Sequence, residues 1–473
     1  MTNINRRSFL KTTGALSLMG ASGVLAGLAG RQTFAIDTSG YKALVCLFLK
    51  GGMDHADTVL PFDEASYAEL AEVRQGLFNT YNAEDPTSSR HPDQLLRLNP
   101  ENEDSFGGRQ FALPRELSGI HALFEAGNAA IVGNVGPLIE PVTRAQMQDN
   151  SVALPPRLFS HNDQQSTWMA LGVEGSRYGW GGQFADAVSG ASTSSAGQFT
   201  SITASGLDVF LAGQNARPFS VGSNGVSDFL LRTQPWRLGS GRNSDRAQEL
   251  LGEHFASLGV TSPSAFVRDI AATNARTVAS NDAFSSARDQ FLGLSTGFPD
   301  SSIGRQLQAI AETISIQGSL GVNRQIFYAD TGGYDTHNAQ ANNLPGLHSQ
   351  LDQAISAFYA AMGELGMQNE VVLFTASDFG RTLIDNGDGT DHGWGGHHFV
   401  VGGPVNGKKI YGNLPGNDPD SDEYTVSRGR LIPKTSVEQY AATLGDWFGL
   451  DSYELERVLP NLQNFDERNL GFI

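Results

Sequence analysis

A single cysteine, Cys46, stands in a chain of 473 residues. No internal disulfide can form, which leaves packing, and metal where one binds, to hold the fold. Cys46 lies inside the apolar run Ala43–Leu49, where a thiol serves as a small core group. Positive charge is scarce as well: 32 Lys and Arg against 50 Asp and Glu give a formal net charge of -18. Phosphate neutralisation needs clustered basic residues, so nucleic acid is excluded as a partner. The chain has no Walker loop, Rossmann glycine fingerprint, CxxC pair or zincin motif, which argues against nucleotide and haem chemistry. It also has no fixed-period repeat.

What is present begins with Asn5-Arg6-Arg7-Ser8-Phe9-Leu10-Lys11, followed by the Gly- and Ala-rich run Gly14 to Gly30 and then Thr33-Phe34-Ala35. The run is too short and too rich in glycine for a spanning helix, which needs roughly 20 strongly apolar residues. The pattern predicts a twin-arginine export signal over residues 1–35, cleaved near Ala35. It implies the twin-arginine translocation machinery as a partner and a mature chain over 36–473 in the periplasm or secreted beyond it. No stable membrane anchor is expected after cleavage.

A hydrophobic content of 40% is enough for a substantial core. Ala43–Leu49, Ala129–Gly133, Gln325–Ala329, Val371–Thr375 and Phe399–Gly402 are continuous apolar runs of strand length, the pattern of strands buried on both faces. Helical spacing over Leu117–Ala126 and Leu344–Leu365 alternates with them, which predicts an α/β fold around a largely parallel sheet. From about 244 to 318 the chain is polar and helix-like, a covering layer or a cap. Residues 79–109, rich in Asn, Asp, Ser and Pro, read as an excursion loop.

Acids and histidines gather where the apolar runs end: Asp54 and His55 after the first, Asp335 and His337 after Ala329, Asp378 after Thr375. His392, His397 and His398 stand at the start of the last. Ligands of open α/β sheets bind beyond the carboxyl ends of the strands, and carboxylate with imidazole suits zinc and other divalent ions. A mixed metal site from Asp54, Asp335, His337, Asp378 and His392 is therefore expected, each acid having a turn or helix cap as its structural alternative. Ser160 in Phe159-Ser160-His161-Asn162-Asp163 reads either as a capping box with Asp163 or as a metal-activated nucleophile at a helix N-terminus. Arg157 and Arg177 are the cations available to clamp an oxyanion. The triads Asp385/Asp388/Asp391 and Asp418/Asp420/Asp422 resemble calcium loops without the full EF-hand spacing.

The twin-arginine leader, Leu49-Lys-Gly-Gly-Met-Asp54, Ser160-His-Asn-Asp163, Gly333-Tyr-Asp-Thr-His337, Ser377-Asp-Phe-Gly-Arg-Thr382 and Thr390-Asp-His-Gly-Trp-Gly-Gly-His397 together resemble the bacterial domain-of-unknown-function 1501 family. The resemblance covers nearly the whole mature chain, and the last segment is its most specific part. That family is similar to the alkaline phosphatase and sulfatase superfamily, which implies a three-layer α/β/α sandwich and a divalent metal: zinc, manganese or calcium. In superfamily order Asp54 resembles the first metal aspartate, Ser160 the nucleophile, and Asp335 with His337 the central pair. Asp378 resembles the later aspartate, and His392 or His397 the last histidine, which holds metal or protonates the leaving oxygen. Phe379 stands where the superfamily often has histidine, so one ligand of the second metal is missing, and a single ion, or none, is expected in place of a complete pair. The resemblance implies an exported metal-dependent hydrolase acting on a small phosphate or sulfate ester. The alternative is a non-catalytic periplasmic or cell-surface binding or assembly protein that keeps the fold.

Overall fold

Strand β1 (Lys42–Leu49) is buried along nearly its whole length because it has a parallel neighbour on each edge and side chains packed on both faces. Ala43, Val45, Leu47 and Leu49 point to one face and join a core with the helices Ser118–Glu125, Ser302–Ser315 and Gln340–Glu364. On the other face Phe48 packs on Tyr328, and Tyr328, Phe374, Phe210, Trp180 and Tyr440 form a chain of ring contacts that brings in the helices Trp180–Gly190 and Val437–Phe448. The structure, a computed structural model, describes residues 37–190, 195–222, 225–226 and 242–473. The expected leader and its cleavage position near Ala35 lie outside the described residues.

Thr38–Ile473 is one compact unit. A small antiparallel sheet joins β2 (Leu60–Pro61), β3 (Leu96–Arg97) and β4 (Phe111–Leu113). The main sheet has the spatial order β12 (Ile410–Gly412), β5 (Ala129–Gly136), β11 (Gly396–Gly402), β10 (Val371–Ser377), β1, β9 (Arg324–Thr331), β6 (Ser201–Thr203), β7 (Phe219–Gly222) and β8 (Gly225–Val226). A further strand, β13 (Thr435–Ser436), pairs with β5. The fold is thus mixed α/β with a large, mostly parallel sheet, and each of the five apolar runs of the sequence lies within one of its strands.

The exception that matters is β11, antiparallel to both β10 and β5. Its N-terminal end, where Asp391 and His392 arrive, therefore lies at the same sheet edge as the C-terminal ends of β1, β9 and β10. Side-chain chemistry from four separate stretches of sequence meets there.

The polar stretch from 242 onward is helical as Arg242–Thr261, Ala265–Arg288 and Ser302–Ser315. Ser302–Ser315 lays Ile303, Leu307, Ile310 and Ile314 into the main core, and Ala265–Arg288 adds Phe284 and Ala287. The segment 79–109 is not a bare loop: it carries short turns of 3-10 helix and β3, the latter pinned to β4. Among the described residues no helix is long and apolar enough to cross a membrane.

Candidate metal centre

Beyond β1 the chain turns at Gly51 with φ +117°, and a Cβ there would lie 2.2 Å from the backbone nitrogen of Asp335. Only glycine lets the two loops approach so closely, and that approach fixes Asp335 over the strand ends. Arg381, fully buried just beyond β10, donates through Nη1 to Asp335 Oδ1 at 2.7 Å and to the Gly51 carbonyl at 3.0 Å. Burial pushes the Asp335 carboxyl up, but the hydrogen bond and charge of Arg381, with His161 and His337 adding to it, hold it below the usual carboxylate range.

Three imidazoles converge on that carboxylate. His337 Nε2 lies 3.2 Å and His392 Nε2 3.3 Å from Asp335 Oδ1, and His161 Nε2 lies 3.4 Å from Oδ2. The Nε2 atoms of His337 and His392 are 2.8 Å apart. Each ring is held from behind through Nδ1. His161 meets Asp378 Oδ2 at 2.6 Å, His337 meets Asp391 Oδ1 at 3.1 Å, and His392 meets the Phe159 carbonyl at 2.8 Å.

These partners decide the tautomers. A carbonyl oxygen only accepts, so His392 carries its proton on Nδ1, and the Asp391 carboxylate sets His337 in the same way. Both Nε2 atoms then present lone pairs to each other beside a carboxylate oxygen. Burial is the main influence lowering both histidines' pKa, with Arg381 adding to it, so a proton is a poor bridge between them. His161 differs: its bond to Asp378 raises its pKa against the opposing effect of burial. Its Nε2 is buried and makes no hydrogen bond.

The separations to Asp335 and between His337 and His392, 2.8 to 3.4 Å, match ligands about 2.0–2.2 Å from one ion, which stand roughly 3–3.5 Å from one another. His161, Asp335 and His392 offer atoms that all lie within 4.8 Å of one another, and His337 joins them through its contacts to Asp335 and His392. The residues fit a single divalent cation, with carboxylate or carbonyl support behind each imidazole, the arrangement that orients and strengthens metal-binding histidines. Side-chain exposures of 43% for Asp335 and 41% for His337 leave the centre open to solvent.

Family comparison bears on the same stretch of chain. A family model described as a protein of unknown function (DUF1501) matches residues 41–455. The chain belongs to this family. No curated protein matches it. Among solved structures, one titled "Crystal structure of Ps i-CgsB in complex with k-i-k-neocarrahexaose" is similar at 9% identity, covering 90% of this chain and 77% of that one with a TM-score of 0.33.

Within this DUF1501 chain the sequence-expected residues divide into two groups. Asp335, His337 and His392 meet at the centre. Asp378 stands behind it: Oδ2 accepts from His161 and from Gln165 Nε2 at 2.9 Å, so it orients a histidine. Asp54 is elsewhere, corrected from metal ligand to ion-pair partner, with Arg74 Nη1 at 2.6 Å and Nη2 at 2.9 Å and both side chains 1% exposed. His397 likewise lies apart from these four side chains. It is buried on β11, its Nδ1 accepts the Asn134 N–H at 3.0 Å, and its ring packs on His55. His398, next along β11, packs its ring on Trp168.

Ser160 is the N-cap of the helix His161–Ala170, but its hydroxyl donates to the Asp163 carboxylate at 2.8 Å rather than accepting a backbone N–H. Arg157 is exposed and pairs with Asp163 at 3.5 Å, and Arg177 is exposed. The first acidic triad is dispersed: Asp385 accepts from the backbone of Leu77 and Gly387, while Asp391 serves His337 and Arg428.

Sequence reasoning passed over His161 and Arg381, and placed Asp391 only in an acidic triad. His161 and Gln165, one helical turn apart, both reach Asp378, and that i, i+4 spacing was the available signal. Phe379 places its ring 4.8 Å from those of both His161 and His392 and walls the centre. The loop carrying His392 is anchored by Trp394, fully buried, whose indole donates to the Pro137 carbonyl at 2.9 Å.

Proposed function

We propose that this protein is an exported, metal-dependent hydrolase of phosphate or sulfate esters, built on a three-layer α/β/α sandwich of the alkaline phosphatase type. The observation that carries the reading is the convergence of three Nε2 atoms on Asp335 with every Nδ1 occupied from behind. Histidines in a merely structural loop have no reason to turn their lone pairs toward one another. A divalent cation bound there would supply Lewis-acid stabilisation of developing negative charge.

The chain's own residues do the rest. Asp378, Asp391 and the Phe159 carbonyl hold the three imidazoles in register. Arg381 keeps Asp335 ionised and directed toward them. Ser160 precedes His161 in the chain, and its hydroxyl donates to the Asp163 carboxylate at 2.8 Å, a pairing that would activate a serine nucleophile.

The test is hydrolysis of aryl phosphate and aryl sulfate by the mature chain loaded with zinc or manganese, beside Asp335→Ala. Turnover in the first that is lost in the second is the expected result. Full metal occupancy without turnover of either ester would instead support the binding or assembly role.

A further inference from the structure

Apart from the metal centre, a cavity of about 160 Å³ lies between the turn that follows β5 and the helices His161–Ala170 and Val437–Phe448. Pro137, Leu138, Pro156 and Leu171 form much of its wall, and the exposed Val173 opens it to solvent. Glu438 also lines it, and that side chain belongs to a residue only 2% exposed. No other titratable residue is among the lining.

Glu438 stands in the first turn of its helix, where the backbone N–H groups favour negative charge. Its Oε1 accepts from Asn461 Nδ2 and its Oε2 from the Asn461 N–H, each at 2.7 Å. With the Leu462 N–H these make three donors, one fewer than the acceptor sites of a carboxylate. Among the described residues no Lys, Arg or His pairs with it, and burial outweighs the three hydrogen bonds, pushing its pKa up to about 7. Anchoring Asn461 accounts for the donors. It does not account for a carboxylate set without a cation against proline and aliphatic side chains, because an unpaired buried charge is costly.

The size and lining of the cavity define what would complete it. An apolar cavity of about 150 Å³ takes up benzene, so this one has room for a single ring or a short alkyl chain. We propose that the cavity binds a small organic ammonium ion, its nitrogen on Glu438 and its apolar body against Leu138, Leu171 and the prolines. The inference goes beyond the hydrolase reading and does not rest on it, since none of the lining residues belongs to the metal centre.

The test is calorimetric titration of benzylamine hydrochloride into the purified protein at about pH 8, beside benzyl alcohol, which has the same ring without the charge. A charge-assisted hydrogen bond predicts that the amine binds about 10- to 150-fold more tightly than the alcohol. Glu438→Gln keeps the shape and should bring the two to equal affinity. In wild type the amine's affinity should fall about tenfold per pH unit below about pH 7, as Glu438 takes up a proton, while the alcohol's stays level. No binding of the amine to wild type, equal affinity for amine and alcohol there, or an undiminished preference in Glu438→Gln overturns the proposal. If Glu438→Gln does not fold, the wild-type pH series decides, and an amine affinity that stays level down to about pH 5.5 refutes the role of Glu438. None of these measurements depends on metal or ester turnover, so a failure here leaves the hydrolase reading standing, and the reverse.

Discussion

Replacing Asp54 with alanine separates a structural carboxylate from a ligand. Arg74 is 1% exposed, both of its Nη groups bind Asp54, and its other donors go to the carbonyls of Thr382 and Leu383. Removing the carboxylate strands a buried guanidinium, a change that costs about 3–5 kcal/mol. Over the roughly 440 residues from Thr38 to Ile473, an unfolding entropy of about 2.1 cal/mol/K per residue amounts to about 0.9 kcal/mol/K. The melting temperature of the metal-free protein should therefore fall by about 3–5 °C. Scanning calorimetry reads that shift, and elemental analysis of the metal-loaded variant reads occupancy, which should match wild type. A variant that melts like wild type but has lost its metal would refute the assignment of Asp54 to Arg74.

Two other outcomes follow from the same geometry. Asp378→Asn keeps the shape beside His161 but removes the charge that raises its basicity, so zinc affinity measured by chelator competition should weaken about 10- to 100-fold; unchanged affinity would contradict the orienting role. Burial lowers the pKa of His55, His348 and His398 to about 3 each. Because these folded values lie below the unfolded value near 6.5, their contribution is present above pH 6.5 and is lost as pH falls toward 3. Below pH 6 the slope approaches about 1.4 kcal/mol per pH unit for each histidine, so urea midpoints of the metal-free protein should drop steeply from pH 6 to 4.5, and a flat profile would refute the burial argument.

The sheet was legible because its strands are buried on both faces and so read as unbroken apolar runs. The short strands Ser201–Thr203, Phe219–Gly222 and Ile410–Gly412 were not, since three or four residues carry no period. Asp335, His337 and His392 could be anticipated from their places at strand ends. The direction of β11, which brings His392 to that edge, is a matter of tertiary pairing. Asp54 and Asp378 have the same sequence context as Asp335, and only long-range partners separate them: Arg74 for one, His161 for the other. His161 was masked by Ser160 and Asp163, whose spacing spells a helix cap. In the structure Ser160 bonds the Asp163 side chain and His161 turns inward.

The central claim is that His161, His337, His392 and Asp335 hold one divalent cation. Its most direct test is the metal content of the purified protein by elemental analysis, beside Asp335→Ala and His392→Ala. Close to one ion per chain in wild type, lost in both variants, is the predicted result. No bound metal after loading with zinc, manganese or calcium, or occupancy that survives both substitutions, would contradict it.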